Sequence, residues 1–119
     1  MAQPQGDLRK RTAQFAVDVI RFTASLPRTE TARTLGQQLL RSGTSVGAHY
    51  REACRARSSA EFISKLEGGL QELDEISYWI ELLAAADLVS GESTQPLHKE
   101  ADELTRIFVA CVKTAKQNR

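Results

Sequence analysis

The chain has 119 residues, 41% hydrophobic and 26% charged, with a net charge of +1. This length and balance exclude a disordered chain and suffice for a core without metal or disulfide support. Seven glycines and three prolines are too few for a loop-rich β protein. Cys54 and Cys111 stand far apart with no C-x-x-C spacing, so they read as reduced packing residues. The N-terminal stretch lacks an apolar h-region, and the longest wholly apolar run is Leu82–Ala86. Neither a signal peptide nor a membrane span is expected, which points to a soluble cytoplasmic protein.

Four stretches repeat apolar residues at alternating intervals of three and four, the spacing of one helix face. The first, near 7–26, has the seam Leu8, Thr12, Phe15, Val19, Phe22 and Leu26, and Pro27 stops it. The second, near 29–56, runs Leu35, Leu39, Ser42, Val46, His49, Ala53 and Ala56. The third, near 59–87, opens with the capping box Ser58–Glu61 and runs Phe62, Leu66, Gly69, Leu73, Ile76, Ile80 and Leu83. Gly91 suits its exit. The fourth, near 94–117, is capped by Ser93 or Thr94, takes Pro96 in its first turn and runs Leu97, Ala101, Leu104, Phe108, Cys111 and Ala115. Val17, Ile20, Leu40, Ile63, Leu70, Val109 and Val112 widen these stripes.

Short connections make sequential helices antiparallel neighbours, so the expected fold is an all-α, up-down four-helix bundle in one domain, 1–119. In the hairpin of helices two and three, paired positions sum to about 116 or 117. His49 then falls near Gly68 and Gly69, and Gly47 near Leu70.

The second helix departs most from ordinary design. Gly43 and Gly47 each cost about 1 kcal/mol relative to alanine in a helix interior, and Ser42, Thr44 and Ser45 add further weak formers. Tertiary packing must hold such a segment, with another backbone close by. Arg41, Ser42, Gly43, Ser45, Gly47, His49 and Glu52 read as a helix-packing polar cluster. Its hydroxyls are expected to bond the carbonyl four residues earlier. Ser42, Ser45, His49 and Glu52 lie along one helix, where a catalytic triad with an oxyanion hole does not assemble. No Glu-x-x-His precedes His49 or His98, which excludes a di-iron bundle site. The chain also lacks phosphate-binding glycine loops. No catalytic residue, metal, cofactor or small-molecule substrate is expected.

Two basic groups remain: Arg9, Lys10 and Arg11 at the start of helix one, and Arg51, Arg55 and Arg57 at the end of helix two. They suit phosphate contacts, and the second trio also suits the dipole at a helix C-terminus. Tyr78 and Trp79 flank the third seam and read as packing or subunit-interface residues.

The run R-S-G-T-S-V-G-A-H-Y-R-E-A (Arg41 to Ala53), with E-F-I-S-K-L (Glu61 to Leu66) and E-I-S-Y-W-I-E-L-L (Glu75 to Leu83), resembles the bacterial four helix bundle protein family. That family includes proteins encoded within 23S rRNA intervening sequences. It is similar in fold to the accessory variability proteins of diversity-generating retroelements. The resemblance runs from Asp7 to about Lys116. It implies a non-enzymatic up-down bundle assembled as a homo-oligomer, commonly a homopentamer, with RNA, DNA or a nucleic-acid enzyme as partner. The family's usual residue at His49 is asparagine, and its nucleic-acid-binding relatives are more basic. The alternative function is a protein–protein adaptor that binds no nucleic acid.

Residues 1–57 carry a net +6 and residues 58–119 a net −5. Opposite charges on antiparallel helices can pair within one bundle. They can also join one subunit's basic face to the next subunit's acidic face. The second arrangement predicts assembly that weakens with salt. Light scattering should show oligomer mass falling from low to high ionic strength; a constant mass would count against it.

Overall fold

The computed structural model describes residues 2–118, with side chains from Leu8 onward. Four helices follow one another: α1 Ala2–Ala24, α2 Glu30–Cys54, α3 Ser59–Ala85 and α4 Gly91–Gln117. Among the described residues there is no strand. Met1 and Arg119, included in the expected domain, lie outside the described residues. The helices form an up-down bundle of 48 × 21 × 20 Å. Helix α2 packs along both α1 and α3, α4 packs along α3, and α1 and α4 meet more sparsely. No Cα atom of α1 comes within 8 Å of α3, nor any of α2 within 8 Å of α4, among the described residues. These are the two diagonals.

The seam residues form the core. Phe15, Val19, Leu39, Val46, Leu66, Leu73, Ile76, Ile80, Leu83, Leu104 and Phe108 are at most 1% exposed. Burying each such side chain stabilises the fold by about 1.5–3 kcal/mol. Tyr50 of α2 meets Phe108 of α4 across the diagonal, with ring centroids 6.0 Å apart. The widened stripes are only partly used. Ile63 and Val112 are buried, but Val17, Ile20, Leu40 and Val109 are 36–50% exposed. Each helix has two close neighbours at most, so a stripe wider than the seam turns outward.

Local chemistry sets the helix ends. The residue before a proline avoids helical backbone, so α1 ends at Ala24, ahead of Leu26 and Pro27. Thr29 caps α2 by accepting a hydrogen bond from the Ala32 N–H at 3.2 Å. Ser58 caps α3 by accepting from the Glu61 N–H, and the Glu61 carboxylate accepts from the Arg57 N–H at 3.0 Å. At the α3–α4 turn the expectation is corrected. Gly91 opens α4 behind the cap Ser90, instead of closing α3. Asp87 closes α3 with φ 61°, while the Leu88 N–H donates to the Leu83 carbonyl and the Asp87 N–H to the Ala84 carbonyl. This is a Schellman turn, built on one of the few non-glycine residues that tolerate the left-handed region. Pro96 therefore stands in the second turn of α4, where its ring removes one helical hydrogen bond.

The glycines of α2 and α3 are notches for side chains. A methyl on Gly43 would lie 2.7–2.9 Å from three carbons of Val19, and one on Gly47 would lie 3.1 Å from the Thr12 hydroxyl. Gly36 receives Leu26 in the same way. Gly47 thus faces α1, not Leu70 of α3, and α1 presents mainly side chains there, not a bare backbone. Toward α3 the register is as expected: a methyl on Gly68 would meet the His49 ring at 2.9 Å. One on Gly69 would meet Phe108 at 2.7 Å.

Gly43→Ala adds about 1 kcal/mol of helix propensity but drives a methyl into β-branched Val19, which cannot swing aside. Overpacking costs about 1–3 kcal/mol, so a net loss of stability is expected, partly restored by adding Val19→Ala. Gly91→Ala meets nothing within 4 Å and should lose nothing. Thermal unfolding of the three variants checks the ordering.

Candidate nucleic-acid interface

The register of the α1–α2 hairpin gathers the basic residues. With Gly43 against Val19 and Gly47 against Thr12, Arg51 lies one turn further on, level with Arg9. The α2–α3 turn then places Arg55 and Arg57 at the same end of the molecule. Helix α4 finishes there too, because Phe108 is level with Gly69 and, two turns on, Lys116 reaches Glu67 in the first half of α3. This adds Lys113, a residue that spacing within single helices does not reveal. Lys10, Arg51, Arg55, Arg57 and Lys113 are exposed, and Arg9 is half-buried. Among the described residues, none of these six forms an ion pair within 4.0 Å. Arg51, Arg55 and Arg57 sit at the C-terminus of α2, whose dipole favours cations.

Arg11 is different. Its Nε donates to Glu100 at 2.7 Å, and its Nη2 donates to both Glu100 and Glu103 at 2.9 and 2.6 Å. The fork is bidentate and partly buried, the stronger kind of charged hydrogen bond. The bond to Glu100 foremost holds the guanidinium above its ordinary range. Arg11 thus clamps α1 to α4 across the sparse side of the bundle. Lys116 reaches Glu67 at 3.6 Å and Arg106 pairs with Asp102 at 2.9 Å.

Within the polar cluster of α2, Arg41, Ser42, His49 and Glu52 face α3, while Gly43 and Gly47 face α1. Arg41 reaches Glu75 at 2.7 Å and Glu72 at 3.5 Å. The Ser42 hydroxyl donates to Glu75 at 3.1 Å. Ser45 donates to the Arg41 carbonyl at 2.7 Å, as the helical spacing predicts, but Ser42 crosses to the neighbouring helix instead. His49 lies 3.6 Å from Glu52 and 3.9 Å from Glu72, and Lys65 lies 3.6 Å from Glu52. Both serines are spent on hydrogen bonds away from His49, so no nucleophile–base pair forms among them. Glu72, Glu75 and Lys65 complete this ladder. Only the tertiary register identifies them. Tyr78 is 55% exposed, while Trp79 packs against the core with its ring 5.2 Å from that of Tyr78.

Cys54 and Cys111 flank the Tyr50–Phe108 contact. The two cysteines are free. The diagonal separation beyond 8 Å exceeds what a disulfide spans without backbone movement. Burial pushes the Tyr50 phenol above its ordinary value, and burial followed by nearby Cys54 raises the Cys111 thiol. Among the described residues, no cluster of three or more His, Cys, Asp or Glu could hold a metal ion. No described helix is long and apolar enough to cross a membrane.

A family model described as 23S rRNA-intervening sequence protein matches residues 5–110. The chain belongs to that family. A crystal structure of an S23 ribosomal protein family member from Bacteroides thetaiotaomicron, of unknown function, is similar over 92% of this chain and 97% of that one. Its sequence identity is 31% and its TM-score 0.85. No curated protein matches the chain. Neither the family nor this neighbour points to an enzyme.

Because Tyr50 and Cys111 are held neutral, the folded chain keeps their protons to higher pH than the unfolded chain does. Their contribution to stability is present below the ordinary values of 9.0 and 10.0 and is lost as pH rises beyond them. Unfolding midpoints should fall above about pH 9. Tyr50→Phe removes a buried hydroxyl that has no hydrogen-bond partner among the described residues. It should therefore leave neutral-pH stability within about 1 kcal/mol and flatten the alkaline fall. Denaturant titrations from neutral to alkaline pH check both.

Proposed function

We propose that the chain is a non-catalytic, self-assembling scaffold that binds RNA through the basic end of the bundle. The observation that carries this reading is the convergence of Arg9, Lys10, Arg51, Arg55, Arg57 and Lys113. These six cations come from three helices and the α2–α3 turn, and form no ion pair among the described residues. Two other arginines that reach a neighbouring helix, Arg11 and Arg41, are occupied by glutamates. The contrast separates cations that hold the bundle together from cations that face outward. Their chemistry suits phosphate oxygens, which attract cations without regard to base sequence. The family's association with 23S rRNA intervening sequences favours RNA over DNA as the polymer to test first. A nucleic-acid enzyme could share the same complex by binding the same polymer.

Filter binding of structured RNA across a salt series tests the proposal. Six phosphate contacts on single-stranded segments predict a log–log slope of about −4. The combined change Arg51→Gln, Arg55→Gln and Arg57→Gln should reduce that slope by about 2 units. Arg106→Gln, at a residue already paired with Asp102, should leave it unchanged. Absence of binding at low salt would remove the RNA reading and leave the protein–protein adaptor.

A further inference from the structure

Besides Val109 of α4, the described surface leaves two apolar features without an intramolecular partner. The first is a groove of about 500 Å³ between α1 and α2, at the end opposite the basic residues. Ile20, Ala24, Gly36 and Leu40 line it, with Arg28 and Arg33 at its edge. Ile20 and Leu40 are 46% and 36% exposed, and Val17, one turn from Ile20 on α1, is 36% exposed. The second is Tyr78 on α3, 55% exposed, with its ring braced against Trp79 at 5.2 Å. Asp74, Glu75 and Glu81 surround it. Glu75 is committed to Arg41, and Glu81 lies 3.3 Å from His98. Asp74 forms no ion pair among the described residues, and neither do Arg28 and Arg33.

Two relations connect these features. They lie at the same height along the bundle. Arg41 meets Glu75 and Gly43 meets Val19, so Tyr78, one turn beyond Glu75, is level with the span from Ile20 and Ala24 to Gly36 and Leu40. They also face away from each other, because α3 is diagonal to α1 and Tyr78 is on the side of α3 opposite its buried residues. A basic-edged apolar groove and an acid-flanked aromatic knob are complementary in shape and charge. Having both at one height, on different faces of one molecule, is what a head-to-tail contact without axial drift requires.

We infer that the Tyr78 ridge of one copy docks into the α1–α2 groove of the next, with Tyr78 against Ile20 and Leu40 and Asp74 and Glu81 facing Arg28 and Arg33. The inference rests on the self-assembly part of the proposed function and names its surface. The anchor is an aromatic residue already held by its neighbour, so little side-chain freedom is lost on docking. The charged edge orients the approach. The occupant is a second copy of this chain because both halves of the contact are present in the same sequence. The basic end is left open to solvent in such an assembly.

The test uses the full chain carrying Cys54→Ser and Cys111→Ser. Leu40→Cys and Tyr78→Cys are introduced in separate chains, one carrying a size tag. Mild oxidation of the mixture should give a disulfide-linked species containing one chain of each kind, whereas each chain oxidised alone should give none. Cross-linking of either chain with itself would overturn the head-to-tail geometry. In parallel, Tyr78→Asp should raise the dissociation midpoint at least about tenfold in light scattering, the loss expected for an aromatic anchor. Its helical circular dichroism should be unchanged. An oligomer with neither the mixed cross-link nor sensitivity to Tyr78→Asp would overturn this surface and leave self-assembly standing. A parent chain that is monomeric at all concentrations would overturn both.

Discussion

The fold depends on how closely α2 can approach its two neighbours. Four glycines set that distance: Gly43 and Gly47 on α2 accept Val19 and Thr12 of α1, while Gly68 and Gly69 on α3 accept His49 of α2 and Phe108 of α4. Any Cβ at these positions would fall between 2.7 and 3.1 Å from an atom already there. Propensity disfavours each glycine by about 1 kcal/mol, while the pockets at Gly43 and Gly69 let Val19 and Phe108 be buried for about 1.5–3 kcal/mol each. Packing therefore outweighs propensity, and a segment that is weakly helical by composition becomes the central helix of the bundle. Phe108 illustrates the coupling: the notch at Gly69 admits it, and it then meets Tyr50 across the diagonal.

Electrostatics follow from the same geometry. The basic half of the chain supplies α1 and α2, and the acidic half supplies α3 and α4. Where these meet, Arg11 joins α1 to α4 and Arg41 joins α2 to α3. An exposed ion pair such as that of Arg41 is worth at most about 1 kcal/mol, so it orients the helices more than it stabilises them, whereas the partly buried fork of Arg11 does both. The pairing between helices takes up Arg11 and Arg41, Arg106 pairs within α4, and Arg9, Arg51, Arg55 and Arg57 form no ion pair among the described residues. That division separates a structural role from a binding role for residues of one chemical type. It also explains how a chain of net charge +1 can carry a concentrated cationic end.

Much of the fold is legible in the residue pattern. The seams from Leu8 to Leu26 and from Leu97 to Val112 are continuous helical stripes, and their members are largely buried. Ser58 and Glu61 mark the start of α3 through a local hydrogen bond. The α2–α3 register near His49 and Gly68 follows from a short turn. Other features resist such reading. Gly91 looks like a helix exit, yet Asp87 takes the left-handed position and Gly91 opens the next helix. Val17, Ile20, Leu40 and Val109 fit the helical period, yet no neighbour covers them. The partners Glu72, Glu75, Glu100 and Glu103 are distant in sequence from the arginines they hold, so no local spacing signals them.

The sequence by itself determined the helices, their order and most of the core, because helical period, caps and turn lengths are short-range properties of the chain. It also carried enough motif similarity to indicate the family. Only the tertiary structure decided which glycine receives which side chain, which arginine is bridged and which is free, and that Lys113 joins residues from α1 and α2 at one end. Those outcomes depend on the axial register and rotation of whole helices, which no single helix encodes and which packing across three interfaces selects together.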